Sequence, residues 1–251
     1  MQRRRTAVVS GGGTGIGRGI AQALLDDGYH VVLLGRRAEV LAEAAEALRQ
    51  TTQTGEVGFH AVDLSDPDAT AIAMTQVVAE LDGTVDVVVA NAGRGAPRVS
   101  AELASHAHSW ADAIAGNTIT TVLLVEAVRP HLSNTGRVIF ISSAAATGLG
   151  GGAYGGAKAA LHAWMLDLAV ELGPQGVTCN IVSPGFIDDT DLFAGRLTDE
   201  GRAAYHVRTL VGRGGLPADV ADCVRWLAAP ASGYVTAQVI GIDGGSLVNS
   251  R

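Results

Sequence analysis

Tyr154 and Lys158 stand four residues apart at the head of a helical pattern, so both side chains project from one face. A phenol titrates near pH ~10, too high for efficient proton exchange at neutrality, and a fixed ammonium beside it favours the phenolate. Just upstream, the apolar run Val138–Ser142 leads into Ser143. A serine hydroxyl there could hydrogen-bond a substrate oxygen, and either Ser142 or Ser143 could supply it. Tyr and Lys recur at this spacing by chance, so the pair gains meaning only from what surrounds it.

The surroundings begin with Ser10-Gly11-Gly12-Gly13-Thr14-Gly15-Ile16-Gly17, between an apolar run and a helical pattern. Glycines let the backbone turn tightly and approach a pyrophosphate, whose charge is met by N–H groups at the helix N-terminus. Read from Gly11 the spacing is G-x-x-x-G-x-G, not the more common G-x-G-x-x-G. The end of the second apolar run usually selects the cofactor, because a carboxylate there binds both hydroxyls of the adenine ribose. Here Leu34 is followed by Gly35-Arg36-Arg37, with two guanidiniums and no carboxylate. Guanidinium suits bidentate phosphate binding and stacking on adenine, so NADP(H) is favoured over NAD(H). A solvated pair at a helix start is the plainer alternative.

The elements that must position these residues alternate along the chain. Apolar runs fall at Ala7–Ser10, Val31–Leu34, Val57–Val62, Val85–Ala90, Val138–Ser142, Val177–Val182 and Val239–Ile242. Most are continuous rather than alternating, as suits strands buried on both faces of a parallel sheet. Helical patterns lie between them at Ile16–Asp27, Glu39–Arg49, Asp68–Leu81, about Ser109–Leu132, Tyr154–Leu172 and Ala218–Leu227. The expectation is an α/β fold, one Rossmann-like domain over residues 1–251, with a doubly wound parallel sheet of about seven strands and helices on both faces. The long irregular stretch 186–216 has a brief helical pattern near Glu200–Arg208 and reads as a substrate lid beyond the strand ends.

Composition narrows the partners. A net charge of −7 argues against a nucleic-acid partner. The basic run Arg3-Arg4-Arg5 reads as a solvated terminus. No uninterrupted apolar stretch approaches the ~18 residues of a membrane span, and no signal-peptide pattern precedes Ala7. Cys179 and Cys223 are too few for a disulfide framework, so a cytoplasmic setting is expected, with Cys179 a small core residue. His106, His108, His131 and His206 lack ligand spacing and read as surface residues; Asp188, Asp189 and Asp191 read as the polar start of the lid rather than a metal site.

Taken together, these residues resemble the short-chain dehydrogenase/reductase family over nearly the whole chain. The matching motifs are Ser10–Gly17, Asp63-Leu64, Asn91-Ala92-Gly93, Asn117, Ser143, Tyr154-Gly155-Gly156-Ala157-Lys158, Pro184-Gly185 and Asp243-Gly244-Gly245. The resemblance implies hydride transfer between a nicotinamide cofactor and a carbonyl or secondary alcohol. In that reading Tyr154 is the acid/base, Ser143 polarises the carbonyl, Lys158 lowers the tyrosine pKa and holds the nicotinamide ribose, and Asn117 positions a water. For the cofactor it implies Gly11, Thr14, Gly15, Ile16, Gly17, Arg36, Arg37, Asp63 and Leu64 at the adenosine and phosphate end. Asn91, Ala92, Gly93, Pro184, Gly185, Ile187 and Thr190 complete the set, and a homotetramer is expected. A nucleotide-sensing regulator that kept the fold without turnover is the alternative. Three features depart from the pattern. Tyr154 follows Ser143 by eleven positions, about two fewer than the family's usual spacing, so the Gly148–Gly152 loop must be tight. Thr190 comes one residue late, leaving Asp189 or Thr190 for the pyrophosphate, and Thr14 is neutral where some NADP-dependent members carry a base.

Overall fold

Strands of Val, Ile and Leu without polar alternation need cover on both faces, and the computed structural model provides it. The structure describes residues 3–96, 99–190 and 197–249. Seven strands, β1 (Thr6–Ser10), β2 (His30–Gly35), β3 (Glu56–Ala61), β4 (Val85–Ala90), β5 (Leu132–Ile141), β6 (Thr178–Pro184) and β7 (Gln238–Ile242), form one sheet in the order β3-β2-β1-β4-β5-β6-β7. All pairings are parallel, so each strand returns through a crossover on one face or the other. The helices are α1 (Gly15–Asp26), α2 (Ala38–Thr51), α3 (Pro67–Glu80), α4 (Leu103–Ile114), α5 (Thr120–Val128), α6 (Gly152–Leu172), α7 (Asp199–Val207), α8 (Pro217–Ala228) and α9 (Ser246–Asn249).

Strand pleating sorts the apolar residues into two cores. Ala7 and Val9 of β1 pack with Ile20 and Leu24 of α1, Leu41 and Leu48 of α2, and Val220 and Val224 of α8. Val8 points the other way, toward Met74 and Val77 of α3, Leu124 and Val128 of α5, and Met165 and Leu168 of α6. Consecutive residues of one strand thus serve opposite layers, which is why these runs show no polar alternation. Local signals start some helices: Asp66 accepts from the N–H groups of Asp68 and Ala69, and Pro67 takes the first helical position.

Two elements differ from expectation. The helix expected from Ser109 begins at Leu103 and is interrupted by a π-helical turn, Ala115–Ile119, before α5. The run from Leu103 to His131 is long and apolar enough to cross a bilayer by length and composition, yet Leu124, Val125 and Val128 spend that character on the sheet. Strand β5 also starts earlier than expected, at Leu132 rather than Val138, because Leu132 pairs with Val85 across an irregular register.

The loop between β1 and α1 depends on Gly17. A Cβ there would overlap the Gly11 carbonyl oxygen and stand 2.7 Å from Asn91 Nδ2. Backbone cannot swing aside as a flexible side chain would, so Gly17→Ala is expected to cost on the order of 3 kcal/mol. Urea unfolding should show a lower midpoint at unchanged slope. An unchanged midpoint would mean the loop shifts freely.

Candidate active site

Strands β1 and β4 lie side by side although the chain winds away from them in opposite directions, and the crevice beyond their carboxyl ends is where this topology leaves room for a ligand. A cavity of about 340 Å³ opens there. Every residue that the resemblance assigns to cofactor or catalysis lines it, except Asn117. Gly11 and Gly12 both donate to the Leu34 carbonyl, at 2.7 and 3.3 Å, which ties the glycine loop to the end of β2. Gly11 and Gly15 adopt φ of +65° and +49°, a backbone region that other residues enter only with strain. Thr14 precedes α1 without a capping hydrogen bond and the first turn carries no acidic side chain, so the helix N-terminus keeps its N–H groups for an anion.

Arg36 and Arg37 are exposed at the rim beside this loop. Asp63 accepts from the Ser65 N–H and hydroxyl, at 3.0 and 2.6 Å, and these bonds hold its carboxyl below the ordinary range. Asn91 differs from expectation. Its Nδ2 donates to the carbonyls of Ser10 and Gly11, at 2.9 and 3.3 Å, so it braces the glycine loop as well as lining the cavity. Of the two residues expected there, Thr190 packs over Gly15, where a Cβ would meet it at 3.4 Å, and lines the cavity, while Asp189 does not. A tight backbone, anion-seeking N–H groups and peripheral arginines fit a dinucleotide.

At the other end Ser143 leaves β5 and caps a short 3₁₀ turn, accepting from the Ala145 N–H at 3.2 Å. Its hydroxyl also hydrogen-bonds the Tyr154 phenol. Ser142 is spent elsewhere, 2.9 Å from His162 Nε2 and 3.4 Å from the Lys158 carbonyl, which leaves Ser143 as the serine facing Tyr154. The short Ser143–Tyr154 connection closes through Gly148, Gly150, Gly151 and Gly152, all at positive φ. Lys158 is only 2% exposed and donates to the Ile141 carbonyl at 2.9 Å; burial lowers its pKa to about 8. Tyr154 departs from the expectation that lysine would lower it. Burial raises its pKa above the ordinary value, the Ser143 hydrogen bond offsets this in part, and Lys158 is turned to β5 instead.

Asn117 is the second departure. Its Nδ2 donates to the carbonyls of Arg94 and Ala113, both at 2.9 Å, and its Oδ1 accepts from the Arg94 N–H at 3.0 Å. Its side chain is thus committed to backbone, and Asn117 does not line the cavity. His206, read as a surface residue, is half-buried and lies 2.8 Å from Asp188, which also pairs with Arg202. Phe186 stacks on Tyr205 at 4.6 Å, and the Gly215 N–H donates to the Phe186 carbonyl at 3.0 Å, which pins the two ends of the 186–216 stretch together. Asp191, Leu192 and Phe193 lie outside the described residues. Among the described residues no group of His, Cys, Asp or Glu is placed to hold a metal ion, and burial pushes the Cys179 thiol up to about 12. Sequence reasoning passed over Arg94, Gly116 and Thr120, which also line the cavity; an arginine directly after Asn91-Ala92-Gly93 was the available signal.

Lys158 is the only lysine in the chain, which makes its charge measurable through stability. Its folded pKa is about 8 against an ordinary 10.5. Below pH 8 both folded and unfolded chains are protonated and the folded state bears the full cost of the buried charge. Between pH 8 and 10.5 only the unfolded chain keeps the proton, so stability rises with pH. Relative to Lys158→Met, the unmodified protein should gain roughly 3 kcal/mol between pH 7.5 and 10.5 in urea unfolding. A constant difference across that range would mean that folding does not shift the lysine.

Comparison with known proteins accords with this geometry. A family model described as enoyl-(acyl carrier protein) reductase matches residues 11–246. The 3-oxoacyl-(acyl-carrier-protein) reductase FabG of Chlamydia muridarum is 34% identical over 247 residues, covering 96% of each chain. The structure of a short-chain type dehydrogenase/reductase from Mycobacterium ulcerans superposes with a TM-score of 0.89 at 31% identity, over 99% of this chain and 92% of that one. The RhlG/NADP active-site complex of Pseudomonas aeruginosa gives 0.86 at 30% identity, over 98% and 99%. With sheet order, glycine loop and Ser-Tyr-Lys grouping already in hand, the chain belongs to the short-chain dehydrogenase/reductase family of nicotinamide-dependent oxidoreductases.

Proposed function

We propose that this protein interconverts a carbonyl and a secondary alcohol, with Tyr154 moving the proton and Ser143 orienting the oxygen that gains or loses it. The observation that carries the reading is the hydrogen-bonded Ser143–Tyr154 pair, one helical turn from the chain's only lysine and open to the same cavity as the glycine loop. A nicotinamide dinucleotide, when bound, supplies or accepts the hydride. Ser143 donates to the substrate oxygen and Tyr154 delivers or removes its proton. A phenol raised by burial is a reluctant base, so oxidation gains from every positive charge brought near Tyr154, while reduction uses the neutral phenol directly. Lys158, balanced near pH 8, is suited to exchange protons behind it. The cofactor in this reading is NADP(H), supported by the Arg36-Arg37 rim and by the RhlG/NADP complex among the structural relatives.

The expected results are direct. NADPH oxidation against a panel of ketones should exceed NADH oxidation, and Tyr154→Phe should lower turnover by at least 10²–10⁴-fold, the usual worth of a general acid, while leaving cofactor binding near normal. Near-normal turnover in the phenylalanine variant would sink the mechanism.

We further read residues 1–251 as one cytoplasmic domain that assembles as a homotetramer. Free Cys179 and Cys223 suit a reducing compartment. The support for assembly is exposed apolar surface: Leu103, Trp110 and Ile114 on α4, Leu166 and Val170 on α6, and Val239 on edge strand β7 are exposed. Closed two-fold symmetry would cover such faces. Light scattering at micromolar concentration is expected to give four times the 25.6 kDa chain mass, and a single chain mass would rule assembly out.

A further inference from the structure

Arg94 leaves the end of β4 immediately after Asn91-Ala92-Gly93 and lines the cavity. Its main chain is gripped on both sides by Asn117, through the N–H at 3.0 Å and the carbonyl at 2.9 Å. The side chain lies over Gly116 in the π-helical turn, where a Cβ would stand 2.6 Å from Arg94 Nε and 3.1 Å from Cζ. Glycine therefore leaves a bare platform for the guanidinium. Asp63 feels the charge of both Arg36 and Arg94, one from the end of β2 and the other from the end of β4. Asp63 itself is hydrogen-bonded to Ser65, so among the described residues the Arg94 guanidinium has no hydrogen-bonded carboxylate.

Resting on the reading of this cavity as a dinucleotide site, we propose that Arg94 is a cofactor-specificity residue whose guanidinium, seated on Gly116, binds the phosphate of the adenosine ribose opposite Arg36. A guanidinium presents a planar fork of donors that matches phosphate oxygens, and a fixed main chain limits the freedom lost on binding. Two arginines on different walls grip one dianion better than one does.

Equilibrium titration of the full chain with NADPH, NADH and adenosine 2′,5′-bisphosphate tests this in the unmodified protein, Arg94→Met and Gly116→Ala, with thermal unfolding to verify each fold. Arg94→Met should weaken NADPH and the bisphosphate about tenfold to a hundredfold, as expected for loss of a charge-assisted bond, and leave NADH unchanged. Gly116→Ala keeps the charge but removes its seat, and should shift the NADPH-to-NADH ratio in the same direction. Equal weakening of both dinucleotides, or of neither, overturns the assignment, as does a folded Gly116→Ala with unaltered discrimination. If the unmodified protein binds neither dinucleotide, the cavity reading fails instead.

Discussion

Burying one ammonium is the constraint around which the catalytic end is built. Lys158 is inside the protein, and an unpaired charge there is costly unless donors and acceptors are arranged around it. The Ile141 carbonyl, at the last residue of β5, takes one of its protons. Gly93 closes another side so tightly that a Cβ would stand 2.6 Å from Asn117 Oδ1 and 3.1 Å from Lys158 Nζ. The ends of β4 and β5, the π-helical turn and α6 therefore meet at one nitrogen. Each is held from elsewhere: the strands by the sheet, α6 by its apolar face, and the turn by the Asn117 amide. Precision at Tyr154 follows, because the phenol leaves the same helix one turn earlier.

This interlock also explains what could and could not be read from the sequence. Strands such as Val31–Leu34 were legible because burial on both faces favours apolar residues there, and that pattern is local. The glycine loop was legible because few other residues tolerate its conformation and crowding. The π-helical turn was not. Its Asn117 bonds to Arg94, more than twenty residues away in sequence, and no periodicity of residues 103–128 reports a partner outside them. The same distance hid the direction of Lys158. Spacing put it on the face of Tyr154, and only the packed structure turns its nitrogen to the Ile141 carbonyl. Resemblance alone favours Ser143 over Ser142, and the structure adds that His162 engages Ser142. Motif positions were therefore readable where backbone shape selects the residue, and unreadable where a tertiary hydrogen bond assigns the role.

The distribution of cations carries the argument one step further. All other basic side chains of the Lys/Arg class are arginines, and the single lysine sits in α6. Arginine holds its charge at every accessible pH, which suits the ion pairs Arg3–Asp86 and Arg213–Asp219 and the rim positions Arg36 and Arg94. Lysine alone can be moved by burial to a pKa of about 8, where gaining and losing a proton are comparably easy. Guanidinium at 158 would stay charged and could not take part in proton exchange. The residue's chemistry, rather than its charge alone, is what that position demands.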